Sequence, residues 1–430
     1  MNKSPFLTLS LALGFALSLT NAYAADLSGR WSGTWTKAGD ALAVSVTFVK
    51  TGDTYSGSFD SDDLQVAGIP FAEVALATPR VHLVLKGDES STIFDGALTG
   101  DALSGTFVDG SVKGTFALKR AATPSPPLRS RDAAFNDGAV KLSGELLMPE
   151  SSGRHPAVLF LHGSGPEGRW ASRYLARKFA EQGFVGLVYD KRGVGGSSGD
   201  WQSASFEDLA DDAAAGVRFL AAQPEVDPTH IGVYGHSQGG TIAPLVAVRA
   251  GNLNFVIASA APGLDPATIE IYSVENSLGV ASLAEPERSD ANAYVRELVD
   301  VAYHGKSHDQ LTKMTASFEK RPWFFPPPPP ENFYWTLSRK FAAFRPAEIW
   351  RQVHMPVLLL YGAHDQRVPP AASADAIAGA LRLGGNGKVT VRTFAQADHT
   401  FTLVDPPPAG GWPKHVPNYA DIIVAWARAQ

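Results

Sequence analysis

The segment Ile231-Gly232-Val233-Tyr234-Gly235-His236-Ser237-Gln238-Gly239-Gly240 constrains this chain more than any other. An apolar run enters it, a G-x-S-x-G turn occupies its middle, and the helical pattern Thr241 to Val248 leaves it. A strand that reverses into a helix over so few residues fits one setting, the C-terminal edge of a mostly parallel sheet whose strands alternate with helices. Such a turn holds its serine in a strained backbone conformation, and glycines at 235 and 239 leave room where side chains would clash. Ser237 then stands above the sheet, over a helix N-terminus that favours negative charge.

The alternation that this predicts runs from about residue 132 to 430. Candidate strands are Ala157 to Leu161, Val185 to Tyr189, Ile231 to Tyr234, Phe255 to Ala258, Val357 to Tyr361 and Val389 to Phe394. Most are continuous apolar runs, as buried parallel strands should be. A helix is expected from about Phe206 to Ala222, opened by a capping box of Ser205 and Asp208. Between about 262 and 351 the alternation stops. Helical patterns there surround Trp323-Phe324-Phe325 and five prolines, Pro326 to Pro330. A structureless loop of that length is unusual in a compact domain, so an inserted helical cap is expected. Its aromatic residues (Trp323, Phe324, Phe325, Phe333, Tyr334, Trp335, Phe341, Phe344 and Trp350) would pack the cap onto the sheet and favour an apolar or aromatic ligand.

A serine hydroxyl is a weak nucleophile and needs a base. In this architecture the acid follows the serine in chain order and the base comes last. Val357 to Tyr361 leads into Gly362-Ala363-His364-Asp365, which puts Asp365 at the end of a late strand. Val389 to Phe394 leads into Ala395-Gln396-Ala397-Asp398-His399, which puts His399 after the last one. His236 and His364 adjoin Ser237 and Asp365, and neighbouring side chains diverge, so neither serves; Asp398 fails as the partner of His399 for the same reason. Asp190 is expected to brace the turn after its strand by pairing with Arg192. Two preorganised N–H groups must stabilise an oxyanion. One belongs to Gln238 and the other to Ser164 in Leu161-His162-Gly163-Ser164-Gly165-Pro166. Gly163 allows the backbone to approach, Gly165 is the alternative donor, and His162 braces the loop. Gly193-Val194-Gly195-Gly196-Ser197-Ser198 lacks the third glycine of a dinucleotide loop. The eleven histidines include no H-E-x-x-H. Neither a cofactor nor a catalytic metal is therefore expected.

Ahead of this region, Asp26 to Arg120 has short β patterns such as Ala43 to Val49 and Arg80 to Leu85, separated by turn signals. A small barrel or sandwich is expected. Gly29-Arg30-Trp31 is similar to the G-x-W of lipocalins, with Trp31 and Trp35 read as core. Ala121 to Arg131, AATPSPPLRSR, reads as a linker. Residues 1–24 carry Lys3, an apolar run from Phe6 to Leu19 and Ala22-Tyr23-Ala24, the pattern of a cleaved signal peptide. The fourteen-residue run would make about 21 Å of helix, too short for a span. There is no cysteine, which excludes disulfides and a thiol nucleophile and suits an oxidising compartment. A periplasmic or secreted protein fits best. The net charge of −6 without a basic run argues against nucleic acid and anionic membranes as partners.

Residues from about 132 onward resemble bacterial α/β-hydrolases of the dienelactone-hydrolase and serine-aminopeptidase-like group. The blocks that carry the likeness are HPAVLFLHGSGPEGR (155–169), YDKRGVGGSSG (189–199), VDPTHIGVYGHSQGG (226–240), PVLLLYGAHDQRVPP (356–370) and ADHTF (397–401). The resemblance implies an α/β-hydrolase fold with Ser237, Asp365 and His399 as catalytic triad. Dienelactone hydrolases themselves carry cysteine where this chain has Ser237. Cleavage of carboxylic esters through an acyl-enzyme is the expected activity, and peptidase action on short peptides is the alternative. A binding protein on an inactive scaffold is a third reading, set against a complete triad. The β domain lies outside the resemblance. It is expected to be dispensable for chemistry and to bind a second subunit or a polymeric or surface-bound substrate.

Overall fold

A computed structural model describes residues 26–86, 91–122, 128–405 and 409–430. The residues expected to form a signal peptide and the middle of the expected linker lie outside that set.

The first nine strands are β1 (Gly29–Lys37), β2 (Asp40–Thr51), β3 (Thr54–Ser61), β4 (Val66–Pro70), β5 (Glu73–Ala77), β6 (Arg80–Lys86), β7 (Ser91–Thr99), β8 (Ala102–Asp109) and β9 (Val112–Arg120). They form one antiparallel sheet in the order β4-β3-β2-β1-β9-β8-β7-β6-β5. Its two edges meet. Phe71 N–H donates to the Gly57 carbonyl on β3, and the next residue, Ala72, donates to Val84 on β6. The sheet thereby curls into a barrel, removing the exposed edges that would invite mispairing. Alternate side chains fill the interior with rings, among them Trp35, Phe48, Phe59, Phe94, Phe107 and Phe116. Trp31 and Trp35 are core, as expected; the Trp31 indole donates to the Leu27 carbonyl at 2.8 Å.

The second sheet holds β10 (Leu128–Asp137), β11 (Val140–Pro149), β12 (His155–Leu161), β13 (Val185–Tyr189), β14 (Val226–His236), β15 (Phe255–Ser259), β16 (Val357–Gly362) and β17 (Val389–Phe394). The order is β10-β11-β13-β12-β14-β15-β16-β17. The β10–β11 hairpin is antiparallel, and β12 onward is parallel. β10 begins at Leu128, so residues 128–131 belong to the sheet rather than to a linker ending at 131. Helices α1 (Trp170–Glu181), α2 (Phe206–Ala221) and α3 (Gln238–Ala250) follow β12, β13 and β14. The Ser205–Asp208 capping box opens α2 as expected. Between β15 and β16 lie α4 (Pro266–Ser277), α5 (Glu287–His304), α6 (His308–Phe318), α7 (Phe333–Phe341) and α8 (Pro346–Trp350). They have an apolar cluster of their own around Tyr294, Leu298, Trp323 and Trp335. Helices α9 (Pro370–Leu383) and α10 (Tyr419–Arg428) complete the chain. One core joins a sheet face to α2, α3 and α9, and another joins the opposite face to α1 and α10.

The barrel and the second sheet exchange side chains. Ala67 of β4 is buried in the core beneath α1. In return Trp412, from the stretch before α10, is buried in the barrel core. Its backbone N–H and indole N–H donate to the Asp40 carboxylate at 3.0 Å and the Asp40 carbonyl at 3.1 Å. The Lys37 ammonium sits 4.1 Å from its ring. Asp62 is held by Arg177 and Lys178 of α1.

Candidate active site

The turn after β14 has the strain that its sequence implies. Ser237 has φ 54° and ψ −115°, a conformation that costs about 1–3 kcal/mol and needs a surrounding structure to enforce it. A Cβ on Gly235 would lie 2.2 Å from the Gly239 carbonyl, so only glycine permits the reversal. Ser237 N–H donates to the Ser259 carbonyl of β15, pinning the turn to the sheet.

The sheet brings the three expected residues together from three strand ends. Asp365 follows β16 and its side chain is fully enclosed. Its Oδ1 accepts the backbone N–H groups of Arg367 and Val368, both at 2.8 Å. Its Oδ2 accepts Nδ1–H of His399 at 2.8 Å. A carboxylate so placed can only accept, which fixes the proton on Nδ1 and leaves the Nε2 lone pair facing Ser237 Oγ at 3.0 Å. Asp398 shapes the His399 turn instead of pairing with the imidazole: one carboxylate oxygen accepts the N–H groups of Thr400 and Thr402. His236 bonds Ser259 Oγ at 3.3 Å. Burial first, then the neighbouring His399, drive its pKa down to about 3. His364 is exposed.

Gln238 is the first residue of α3, and its N–H, like that of Ser164, has no acceptor among the described residues. The Ser164 loop is tightly held. Gly163 N–H donates to Glu167 Oε2 at 2.6 Å, and a Cβ on Gly163 would lie 2.7 Å from the other carboxylate oxygen. His162 bonds the Tyr189 carbonyl at 2.5 Å and is a brace, as expected. Burial is the main cause that takes its pKa to about 3. Gly165 has φ +81°, and its carbonyl accepts from Lys191.

Two expected partners are corrected. Asp190 pairs with Arg169, at 2.8 Å, and accepts Gly196 N–H; Arg192 pairs instead with Asp212 of α2, at 2.7 Å. Arg169 lies before α1 and reaches Asp190 across the strand ends, whereas α2 carries a fully enclosed carboxylate to Arg192. Sequence reasoning also passed over Lys191, whose side-chain hydrogen bonds all go to distant residues.

A cavity of about 290 Å³ opens at Ser237, Gln238 and Ser164. Its walls are mostly apolar: Leu264, Ile269, Phe206, Phe333, Phe341 and Phe344. Four of the aromatics anticipated for this region, Phe333, Tyr334, Phe341 and Phe344, line it. Trp323 and Trp335 do not; both are buried among the helices between β15 and β16. Glu270, Tyr303, Tyr334 and Ser338 form a polar patch on the same wall. Burial raises the Glu270 carboxyl above the ordinary range, opposed by the Tyr334 hydroxyl at 3.2 Å. Among the described residues no His, Asp or Glu cluster could hold a metal, and no helix is long and apolar enough to cross a membrane.

A family model for serine aminopeptidases of the S33 type matches residues 153–404. Esterase EstD of Thermotoga maritima is 25% identical over 266 residues, which cover 60% of this chain and 57% of EstD. The uncharacterized peptidase YtmA of Bacillus subtilis is 23% identical over 250 residues, 58% of this chain and 79% of YtmA. The chain thus spans little more than half of EstD. The solved structure of the Pyrococcus furiosus esterase Pf2001 is 17% identical, with a TM-score of 0.43, and covers 72% of this chain and 95% of that one.

Proposed function

The chain belongs to the S33 serine aminopeptidase family of α/β-hydrolases, and on that premise we propose that it cleaves carboxylic esters through an acyl-enzyme on Ser237. The observation that carries this reading is the relay Ser237–His399–Asp365, hydrogen-bonded throughout and opening onto a largely apolar cavity. His399 Nε2 takes the Ser237 proton as Oγ attacks the ester carbonyl. The N–H groups of Gln238 and Ser164 receive the oxyanion, aided by the N-terminal dipole of α3. His399 then protonates the leaving alkoxide, and water repeats the sequence on the acyl-enzyme. Asp365 holds the imidazole in the tautomer that these transfers require. The helices α4 to α8 act as the cap that selects the acyl group, with Tyr272 of α4 donating to the Asp365 carbonyl at 2.8 Å. Export to the periplasm or the medium fits the N-terminal pattern and the absence of cysteine. A partner of the barrel, whether a second subunit or a polymeric ester, would meet its outer surface, since rings fill its interior.

The test is turnover of p-nitrophenyl acetate together with fluorophosphonate labelling. Ser237→Ala should lower kcat by about 10⁴ to 10⁶ and abolish labelling. Retained turnover by that variant would falsify the assignment.

One observation favours the peptidase reading: Glu270 places a buried carboxyl in the cavity, where it could hold a substrate ammonium. Paired aminoacyl p-nitroanilide and p-nitrophenyl ester assays decide between them. A clear preference for the amide, lost in Glu270→Gln, would replace the esterase reading.

A further inference from the structure

Lys191 follows β13 and is 1% exposed, an unusual place for an ammonium. Its Nζ donates to the Gly163 carbonyl at 2.5 Å, the Gly165 carbonyl at 2.7 Å and Gln238 Oε1 at 3.3 Å. These three acceptors belong to the two segments, 163–165 and Gln238, that carry the expected oxyanion donors. The Gly163 carbonyl and the Ser164 N–H are two ends of one peptide unit. In a trans peptide they point in opposite directions. A cation on the carbonyl therefore aims the N–H away from itself and withdraws electron density from it, which strengthens the N–H as a donor. The third contact holds the side chain of Gln238, whose own N–H is the other donor. Glu167 completes the clamp by taking the Gly163 N–H.

We infer that Lys191 is the positioning residue of the oxyanion site, its ammonium tying together the two residues whose N–H groups receive the developing charge. This rests on the reading of Ser237 as nucleophile. The groups that face Lys191 are His162 of the loop, Glu167 ahead of α1, Asp212 of α2 and Gln238 of α3. His162 is neutral, and Asp212 is engaged by Arg192. The ring of Trp201 lies 6.0 Å away. Burial pulls the Lys191 pKa down to about 8, against the attraction of Glu167. The clamp is thus complete below that pH and loosens as pH rises through it.

The experiment is the pH profile of kcat and KM for p-nitrophenyl acetate between pH 6 and 10, for the natural chain, Lys191→Met and Ser237→Ala. The natural enzyme should show a falling alkaline limb in kcat near pH 8. Lys191→Met should lower kcat about 100-fold at pH 7, the range of a lost oxyanion contact. Its KM should change less than about threefold and its alkaline limb should vanish. A residue needed only for folding would lower the amount of active enzyme without removing the limb. A profile of the natural enzyme that stays flat to pH 10 overturns the inference even if Lys191→Met does not fold, as does a kcat for that variant within threefold of the natural one. If Ser237→Ala remains active, it is the nucleophile assignment that fails. If it is dead and the profile is flat, only the role of Lys191 falls.

Discussion

Replacing Asp365 by Asn separates the orienting role of the carboxylate from its bulk. The two side chains have the same shape, so packing is preserved, and the outcome turns on which way the amide faces. Oδ1 of Asp365 accepts two backbone N–H groups, from Arg367 and Val368, at 2.8 Å each. An amide NH₂ in that place would confront both donors and leave them unsatisfied, at about 1–3 kcal/mol each. The amide oxygen must therefore stay there, and the NH₂ group faces His399 Nδ1. Nδ1 then becomes an acceptor and the proton moves to Nε2, which confronts Ser237 as a donor and cannot take its proton. No hydrogen bond is lost in this exchange, so stability should hold within about 1 kcal/mol. Catalysis should not: the wrong tautomer costs about 10⁴ in kcat, or about 5.4 kcal/mol of transition-state stabilisation. Steady-state turnover of p-nitrophenyl acetate and the rate of fluorophosphonate labelling measure the effect, with a thermal melt as control. A variant that melts normally and retains more than a tenth of the natural kcat would refute the tautomer argument.

Four further outcomes are expected. Phe341 stacks on Phe206 with centroids 3.8 Å apart at the cavity wall, so Phe341→Ala should extend acyl preference toward longer chains. Trp323→Ala and Trp335→Ala should leave the chain-length profile unchanged, and a shift in either would show that the cavity reaches deeper than its present walls. Burial raises the Glu270 pKa above its ordinary 4.5, so the folded state holds a proton that the unfolded chain releases, and stability falls as pH rises through that interval. The melting temperature of Glu270→Gln should therefore gain on that of the natural chain from pH 4 to pH 7, and a constant difference would contradict the upward shift of this carboxyl. Trp412→Ala should destabilise the barrel by about 3–5 kcal/mol, read as an earlier barrel transition in urea; an unchanged midpoint would show that the plug adds nothing to the barrel.

Ser237 and Asp365 were legible because each follows a buried stretch of strand, and buried strands announce themselves as unbroken apolar runs; His399 follows β17, which is largely exposed, and chain order marked it instead. Val185 to Tyr189, Phe255 to Ser259 and Val357 to Gly362 are buried at every residue. The β10–β11 hairpin gave no such signal, because β10 exposes most of its residues. The pairing of Asp190 was misread for another reason. Its near neighbour Arg192 was the obvious cation, yet Arg192 turns to Asp212 of α2, and Arg169 approaches Asp190 from 21 residues away. Lys191 was invisible as a clamp because its acceptors are mostly backbone carbonyls, which every residue possesses and no motif marks. The contribution of Trp412 to the barrel was hidden by sequence distance alone.

That distance sets an order of assembly. Asp40 and Trp412 are 372 residues apart, so during synthesis the barrel strands emerge long before the ring that plugs them. All nine strands can pair early, while the core between Trp35 and Phe107 stays open on the side where Trp412 later packs, 6.4 and 6.1 Å from their rings. The stretch that closes it also carries His399, thirteen residues earlier. Seating the histidine and sealing the barrel are thus late events in the same segment. A nascent chain that has paired its first sheet is not yet a finished barrel, and by the time the barrel is finished the histidine has been made. Such long-range closure is slow, so the last step of the barrel waits on the end of the chain that also supplies the histidine.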